Sequence, residues 1–259
     1  MADKVALTNR IVLRSVLPVF KVLYEEDNGP LKKLLLNVDG IIQFAVKGTD
    51  IGAYLEFSGG SLDVKQGVHP KPDITFGFKS MESMNATFTG GVAVPSLKGL
   101  TNVRLLLKLI PLFIGLTLLM PNKHPKDLKK KELKIKMLMY VVTNALSQLN
   151  KGGDEDMMKW TAKMPDRIFQ LSVQPEGPAA YLRIKGGKTK AGHGIYGRKA
   201  PFVHMMFQGI NGAYAVVAQG KDTVKAMADG DVKVEGSPEY AGVLGSFMKR
   251  IESLLMPPK

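Results

Sequence analysis

A chain of 259 residues with a formal net charge of +13 and a mean hydropathy near zero is long enough for one large domain or two of about 130 residues. It has no cysteine, which excludes disulfides, thiolate metal sites and cysteine catalysis and is compatible with a reducing, cytoplasmic location. The charge is uneven, net +4 over residues 1–127 and +9 over 128–259, and densest in KHPKDLKKKELKIK, Lys123 to Lys136, which holds seven lysines.

In chain order, MADKVALTNRIVLRSVLPVF carries Asp3 early, Asn9 and Arg10 within its apolar run, and no small-residue cleavage site, so it is a poor secretory signal. An amphipathic helix is expected there, with Ile11, Leu13, Val16, Leu17 and Phe20 on one face. EEDNGP breaks it, and a short second helix should follow. Period-two alternation then sets in: IIQFAV, AYLEF, SLDVKQG and DITFGF read as strands separated by Gly-rich or Pro-containing turns. SMESMNATF reads as a helix, VAVP as a last strand and LTNVRLLLKLIPLFIGLTLLMPNK as a closing helix. The uncharged run between Lys108 and Lys123 has 14 residues and contains Pro111. That is about 21 Å of helix, short of the roughly 20 residues a membrane span requires. A helix buried in its own domain or lining a cavity is expected, with an interfacial helix as the alternative.

The second half restates the first. GIIQFAVKGTDIGAYLEFSGG from Gly40 aligns without gaps with RIFQLSVQPEGPAAYLRIKGG from Arg167, at an offset of 127 residues. Ile41/Ile168, Gln43/Gln170, Val46/Val173, Ala53/Ala180, Tyr54/Tyr181 and Leu55/Leu182 coincide, as do Gly59-Gly60 and Gly186-Gly187. The helix around Val5 to Tyr24 then matches one around Glu132 to Lys151, and further strands fall at KTKAG, FVHMMF and DVKVEG. Copy two alone has GKDTVKAMADGD, a turn and a short helix, and its closing helix SPEYAGVLGSFMKRIESLLMPPK is more polar. The expected fold class is α+β, two repeated domains, each a mainly antiparallel five-stranded sheet covered by helices. The expected boundaries are 1–122 for copy one, lacking one short helix, 123–131 for a basic linker and 132–259 for copy two.

These spacings carry a resemblance. In copy two, Tyr-Leu-x-Ile-x-Gly-Gly, the helix closing on Gly220-Lys221, Ala228-Asp229-Gly230, the strand Val232 to Val234, Gly236 and a final apolar helix resemble the sterol carrier protein type 2 (sterol-binding) domain family. Copy one fits at Phe44 to Gly67 and at PDITFGFKSMESMNATFTGG, and rejoins at Val92; the resemblance covers about 100 residues of each half. It implies an apolar tunnel for fatty acid, acyl-CoA, sterol or another lipid, with binding and transfer and no bond chemistry, hence no enzyme activity. The chain departs from relatives in ending Met-Pro-Pro-Lys, without a Ser-Lys-Leu-like peroxisomal address.

The expected ligand-binding residues in the hydrophobic cavity are Phe76, Phe78, Leu109, Leu112, Phe113 and Leu116 in copy one. In copy two they are Met157, Trp160, Met205, Phe207, Tyr214, Met227, Leu244, Phe247 and Met248. Methionine, with 14 residues, suits an irregular apolar pocket or an irregular core equally, and Trp160 either lines a pocket or anchors the core. His193 and Arg198, in a glycine-rich basic turn, are head-group candidates or part of a solvated hairpin. His204 alternates within FVHMMF and should face away from Val203 and Met205. The four histidines have no metal-ligand spacing, so neither a metal nor a cofactor is expected, and no nucleophile-elbow, Walker-type or dinucleotide motif occurs. The lysine run contains no aromatic, which argues against nucleic acid. It is either a solvated helix face or a transient contact with a membrane surface. The functional expectation is a carrier or presenter of a hydrophobic ligand. The alternative is a noncatalytic subunit docked on a lipid- or hydrocarbon-modifying partner enzyme, or a homo-oligomer.

Overall fold

The computed structural model describes residues 3–26, 39–99 and 103–256. From Lys4 onward the chain divides into two compact units, Lys4–Met120 and Pro121–Lys259. The short second helix expected in the first half falls on residues 27–38, outside the described residues.

In the N-terminal unit the first helix is not continuous. Lys4–Ile11 (α1) and Val19–Glu26 (α2) flank a wide π turn at Val12–Val16. Pro18 accounts for the break, because it has no N–H to donate and its ring crowds the preceding turn. The Leu17 N–H reaches the Val12 carbonyl at 3.0 Å, and the Leu13 carbonyl is taken up by Nε2 of Gln66 at 2.8 Å. Ile11, Val12, Leu17 and Phe20 are fully buried beneath this kink.

Five strands follow: β1 (Gly40–Val46), β2 (Gly52–Ser58), β3 (Ser61–Gln66), β4 (Ile74–Phe78) and β5 (Ser96–Lys98), with α3 (Met81–Phe88) before β5 and α4 (Val103–Leu116) after it. The sheet order is β3-β2-β1-β4-β5. It is mixed: β1 pairs antiparallel with β2 but parallel with β4, Phe44 opposite Phe76. Alternation marks a strand and its faces without giving its direction, which is set by the crossover from β3 to β4. The last strand is SLK rather than VAVP. Pro95 has no N–H for a ladder, and Val92 and Val94 stand 98% and 91% exposed. The core is a phenylalanine cluster centred on Phe44, whose ring lies 5.0 Å from Phe76, 5.7 Å from Phe88, 6.1 Å from Phe113 and 6.3 Å from Phe20.

In the C-terminal unit α5 (Leu128–Lys151) runs unbroken, with Ala145 standing where Pro18 stands in the first half. It starts inside the segment expected to be a linker, capped by Asp127, whose Oδ1 accepts the Lys130 N–H at 3.0 Å. Next come α6 (Glu155–Ala162), β6 (Arg167–Gln174), β7 (Ala179–Lys185), β8 (Lys188–His193), β9 (Val203–Gln208), α7 (Gly209–Ala213) running into a π turn at Tyr214–Ala218, α8 (Thr223–Ala228), β10 (Val232–Gly236) and α9 (Pro238–Leu255). The sheet order is β10-β9-β6-β7-β8, with β6 parallel to β9. Read from its other edge, this is the strand order of the first sheet. The expected short helix is α8; Val203 and Met205 are buried, while His204 points to the opposite face and is half-buried.

The crossing from the third to the fourth strand is held in each unit by a buried glutamine of the first strand. Oε1 of Gln43 accepts the His69 N–H at 2.6 Å, and Oε1 of Gln170 accepts the Tyr196 N–H at 3.0 Å. Tyr54 packs on His69 with ring centroids 5.2 Å apart, and Tyr181 on Tyr196 at 4.9 Å. Among the described residues no helix is long and apolar enough to cross a membrane.

Candidate functional site

One concavity of the C-terminal unit lies between α6 and α9. The break Gly152-Gly153 ends α5, and Asp154 caps α6 through Oδ1, which accepts the Met157 N–H at 3.0 Å. Met157 and Thr161 turn inward, and the Thr161 hydroxyl donates to Oδ1 of Asn150 at 2.6 Å, locking α6 onto α5. That rotation leaves Trp160 half-buried at the seam with α9. Helix α9 starts with Pro238 and buries Leu244, Phe247, Ile251 and Leu254. Arg250 on its outer side forks between the helices, with Nη2 2.7 Å from Oδ2 of the fully buried Asp154 side chain and Nη1 donating to Oδ2 of Asp156 at 3.1 Å.

The cleft so framed has a volume of about 490 Å³. Trp160, Met164, Tyr240 and Val243 provide its apolar wall, and Asp156, Lys159, Lys163 and Glu239 its rim. Behind the wall, the Trp160 ring lies 5.4 Å from Phe247 and 5.5 Å from Phe169. The Arg167 guanidinium sits 3.7 Å from the Phe202 centroid and 4.8 Å from that of Tyr240, which fixes the Tyr240 ring at the mouth. The cleft is shallow and open to solvent, with a volume inside the span of small-molecule sites, about 300–1,000 Å³. A second cleft of about 460 Å³ opens at the sheet edge, lined by Gln208, Met227, Gly230, Val232, Lys233 and Val234.

No family model matches the chain, and no curated protein matches it. Among solved structures, it aligns with the stereoselective inverting sec-alkylsulfatase Pisa1 from Pseudomonas sp. at 12% identity and a TM-score of 0.26, over 51% of this chain and 26% of that one. A double mutant of that enzyme aligns at 13% identity and a TM-score of 0.27, over 63% of this chain and 31% of its own. The chain thus spans about a third or less of those proteins, and likeness this low says nothing of fold or function here.

The expected cavity residues are distributed over several places. Trp160 lines the first cleft and Met227, 41% exposed, the second. Met157, Met205, Phe207, Leu244 and Phe247 are buried in the C-terminal core, and Met248 is half-buried. Phe76 and Phe113 belong to the phenylalanine cluster of the N-terminal unit, Phe78, Leu109 and Leu112 are buried there, and Leu116 is half-buried. Tyr214 is the anchor of the basic segment. Its hydroxyl lies 3.1 Å from Nδ1 of His124, and the ammonium groups of Lys131 and Lys134 lie 5.3 and 6.0 Å from its ring centre. Lys134 is 1% exposed and donates to the Lys123 carbonyl at 2.6 Å, and burial holds its pKa below the usual lysine range. The lysine run is therefore partly structural.

The head-group candidates separate as well. His193 stacks face to face on Tyr140 at 3.6 Å, and desolvation, with the nearby Lys136 charge, lowers its pKa from the ordinary value of 6.5. Arg198 is exposed, beside a turn pinned by Asp166, which accepts from Arg183 Nε and Nη2 at 2.8 and 2.6 Å and is thereby kept well below the usual carboxylate range. A serine–histidine contact is present among the described residues: Oγ of Ser172 lies 2.8 Å from Nε2 of His204 and accepts from Nε2 of Gln174 at 3.0 Å. Ser172 is 2% exposed, so its hydroxyl offers no open face to a substrate. Among the described residues no group of three His, Cys, Asp or Glu is placed to hold a metal ion.

Sequence reasoning missed Tyr240, Val243 and the Arg250 clasp. Arg250 and Asp156 are 94 residues apart, and nothing local pairs them. Lys159 and Lys163 flanking Trp160 at helical spacing were visible in the sequence, but their place on a rim was not.

Proposed function

We propose that the chain is a tandem of two sterol-carrier-like domains that binds a fatty acid, acyl-CoA, sterol or similar hydrophobic molecule and carries or presents it, with the Trp160 cleft as the binding site. The observation that carries the reading is this cleft, an open aromatic and aliphatic concavity of about 490 Å³ between the second and the closing helix of the C-terminal unit. The tandem reading is supported by contacts that recur at the 127-residue offset already evident in the sequence. Gln43 with His69 becomes Gln170 with Tyr196, and Tyr54 on His69 becomes Tyr181 on Tyr196. Gln66 on the Leu13 carbonyl becomes His193 on Tyr140. Interactions of different chemistry at matched positions are what drift in two copies of one domain leaves behind, because each site must be satisfied in both.

Trp160 is the single tryptophan, so its emission reports on the cleft alone. Delipidated protein titrated with brominated fatty acid, brominated sterol or acyl-CoA should show saturable quenching at about micromolar affinity. Val243→Asp, which sets a carboxylate on the apolar wall, should weaken binding about tenfold or more. Absence of quenching, and of heat by calorimetry, with all three ligand classes refutes the assignment.

A further inference from the structure

Helix α4 carries apolar residues on two opposite sides, and the fold buries only one of them. Leu105, Leu109 and Leu112 are at most 2% exposed. On the opposite side Leu107, Ile110 and Ile114, spaced i, i+3 and i+7, stand 58%, 49% and 64% exposed. The closing helix of the C-terminal unit, α9, instead shows solvent Ser246, Lys249, Arg250, Glu252 and Ser253. The outward stripe of α4 is thus not a requirement of a closing helix. Val92 and Val94 add two almost fully exposed aliphatic side chains in the loop just before β5. An apolar stripe of this kind marks a surface that something covers.

Charge identifies the cover. No carboxylate occurs between Glu82 and Asp127, whereas Lys98, Arg104 and Lys108 fall within that interval of the N-terminal unit. A second copy of the chain would bring a net +13 against +13, and nucleic acid would leave the aliphatic stripe wet. An anionic bilayer surface complements both features, since aliphatic side chains enter the acyl boundary while lysine and arginine meet the phosphates. Pro111 limits the depth: it cannot donate to the Leu107 carbonyl, which requires a polar partner and finds one at headgroup level but not in hydrocarbon.

We propose that the outward face of α4, carried by Leu107, Ile110 and Ile114, is a docking surface for anionic lipid membranes, with the helix lying in the plane of the interface. The test is co-sedimentation of the full chain with phosphatidylcholine vesicles, with and without phosphatidylglycerol. Wild type should bind the phosphatidylglycerol vesicles, and more weakly as salt screens the cations. The double substitution Ile110→Asp and Ile114→Asp should lower partitioning about tenfold or more. Because both positions are exposed, far-UV circular dichroism and the thermal midpoint should be unchanged; the milder pair Leu107→Ser and Ile114→Ser gives the same direction if they are not. Three results overturn the proposal: no binding to anionic vesicles, binding indifferent to these substitutions, or a solution dimer that the substitutions dissociate, which assigns the face to a second copy.

Discussion

Gln170→Ala removes the side chain that ties the crossing between β8 and β9 to the sheet. The Gln170 amide is 1% exposed; its Nε2 donates to the carbonyls of Ala180, Gly194 and Leu171 at 2.9, 3.1 and 3.1 Å, and its Oε1 accepts the Tyr196 N–H at 3.0 Å. Truncation leaves the Tyr196 N–H and the Gly194 carbonyl without these partners. At about 1–3 kcal/mol for each stranded group, with a small cavity added, the loss should be about 3–5 kcal/mol. Gln170→Met keeps most of the volume and removes the hydrogen bonds, which isolates their share, and Gln170→Glu should be at least as damaging because a carboxylate cannot donate to these carbonyls. Gln43→Ala, which removes the single 2.6 Å bond to the His69 N–H, should cost less, about 1–3 kcal/mol. Urea unfolding followed through Trp160 emission measures the C-terminal unit directly, and circular dichroism covers the Gln43 variant. A loss below about 0.5 kcal/mol for Gln170→Ala, the scale of a surface substitution, refutes the reasoning.

Two further outcomes follow from the same geometry. Gly192→Ala would place a Cβ inside the ring of Tyr181, which lies across it in the ladder; displacing that ring from Tyr196 should cost about 1–3 kcal/mol, read from the thermal midpoint. His193 and His204 are both held below the ordinary value of 6.5, chiefly by burial, so the unfolded chain binds their protons more tightly than the folded one. Stability should be full above pH 6.5 and fall as pH drops through their lowered folded values; His204→Asn should flatten that part of the profile, whereas the Asp166 contribution is lost only below its unfolded value of 3.8.

The elements themselves were legible. Period-two runs ended at Gly-Gly turns, and the 127-residue offset placed Gln43 and Gln170, Tyr54 and Tyr181 at matching positions before any contact was known. The break at Pro18 had a local cause and was foreseeable, and so was the loss of a strand at VAVP, since Pro95 cannot pair. The sequence by itself determined composition, alternation, and which side chains of a strand share a face, because these depend on residue type and spacing along one chain. Only the tertiary structure decided what faces an inward side chain. Phe44, Phe76 and Phe113 meet one another and form a core, while Trp160 meets a gap that Tyr240 and Val243 complete from about 80 residues away. It also decided that β4 and β9 lie parallel to β1 and β6, that Lys134 is buried while other lysines of its run are not, and that the outer stripe of α4 is bare. Apolar character specifies removal from water, and a packed neighbour, a ligand or a lipid can each provide it; which of them does so depends on distances that no local pattern encodes.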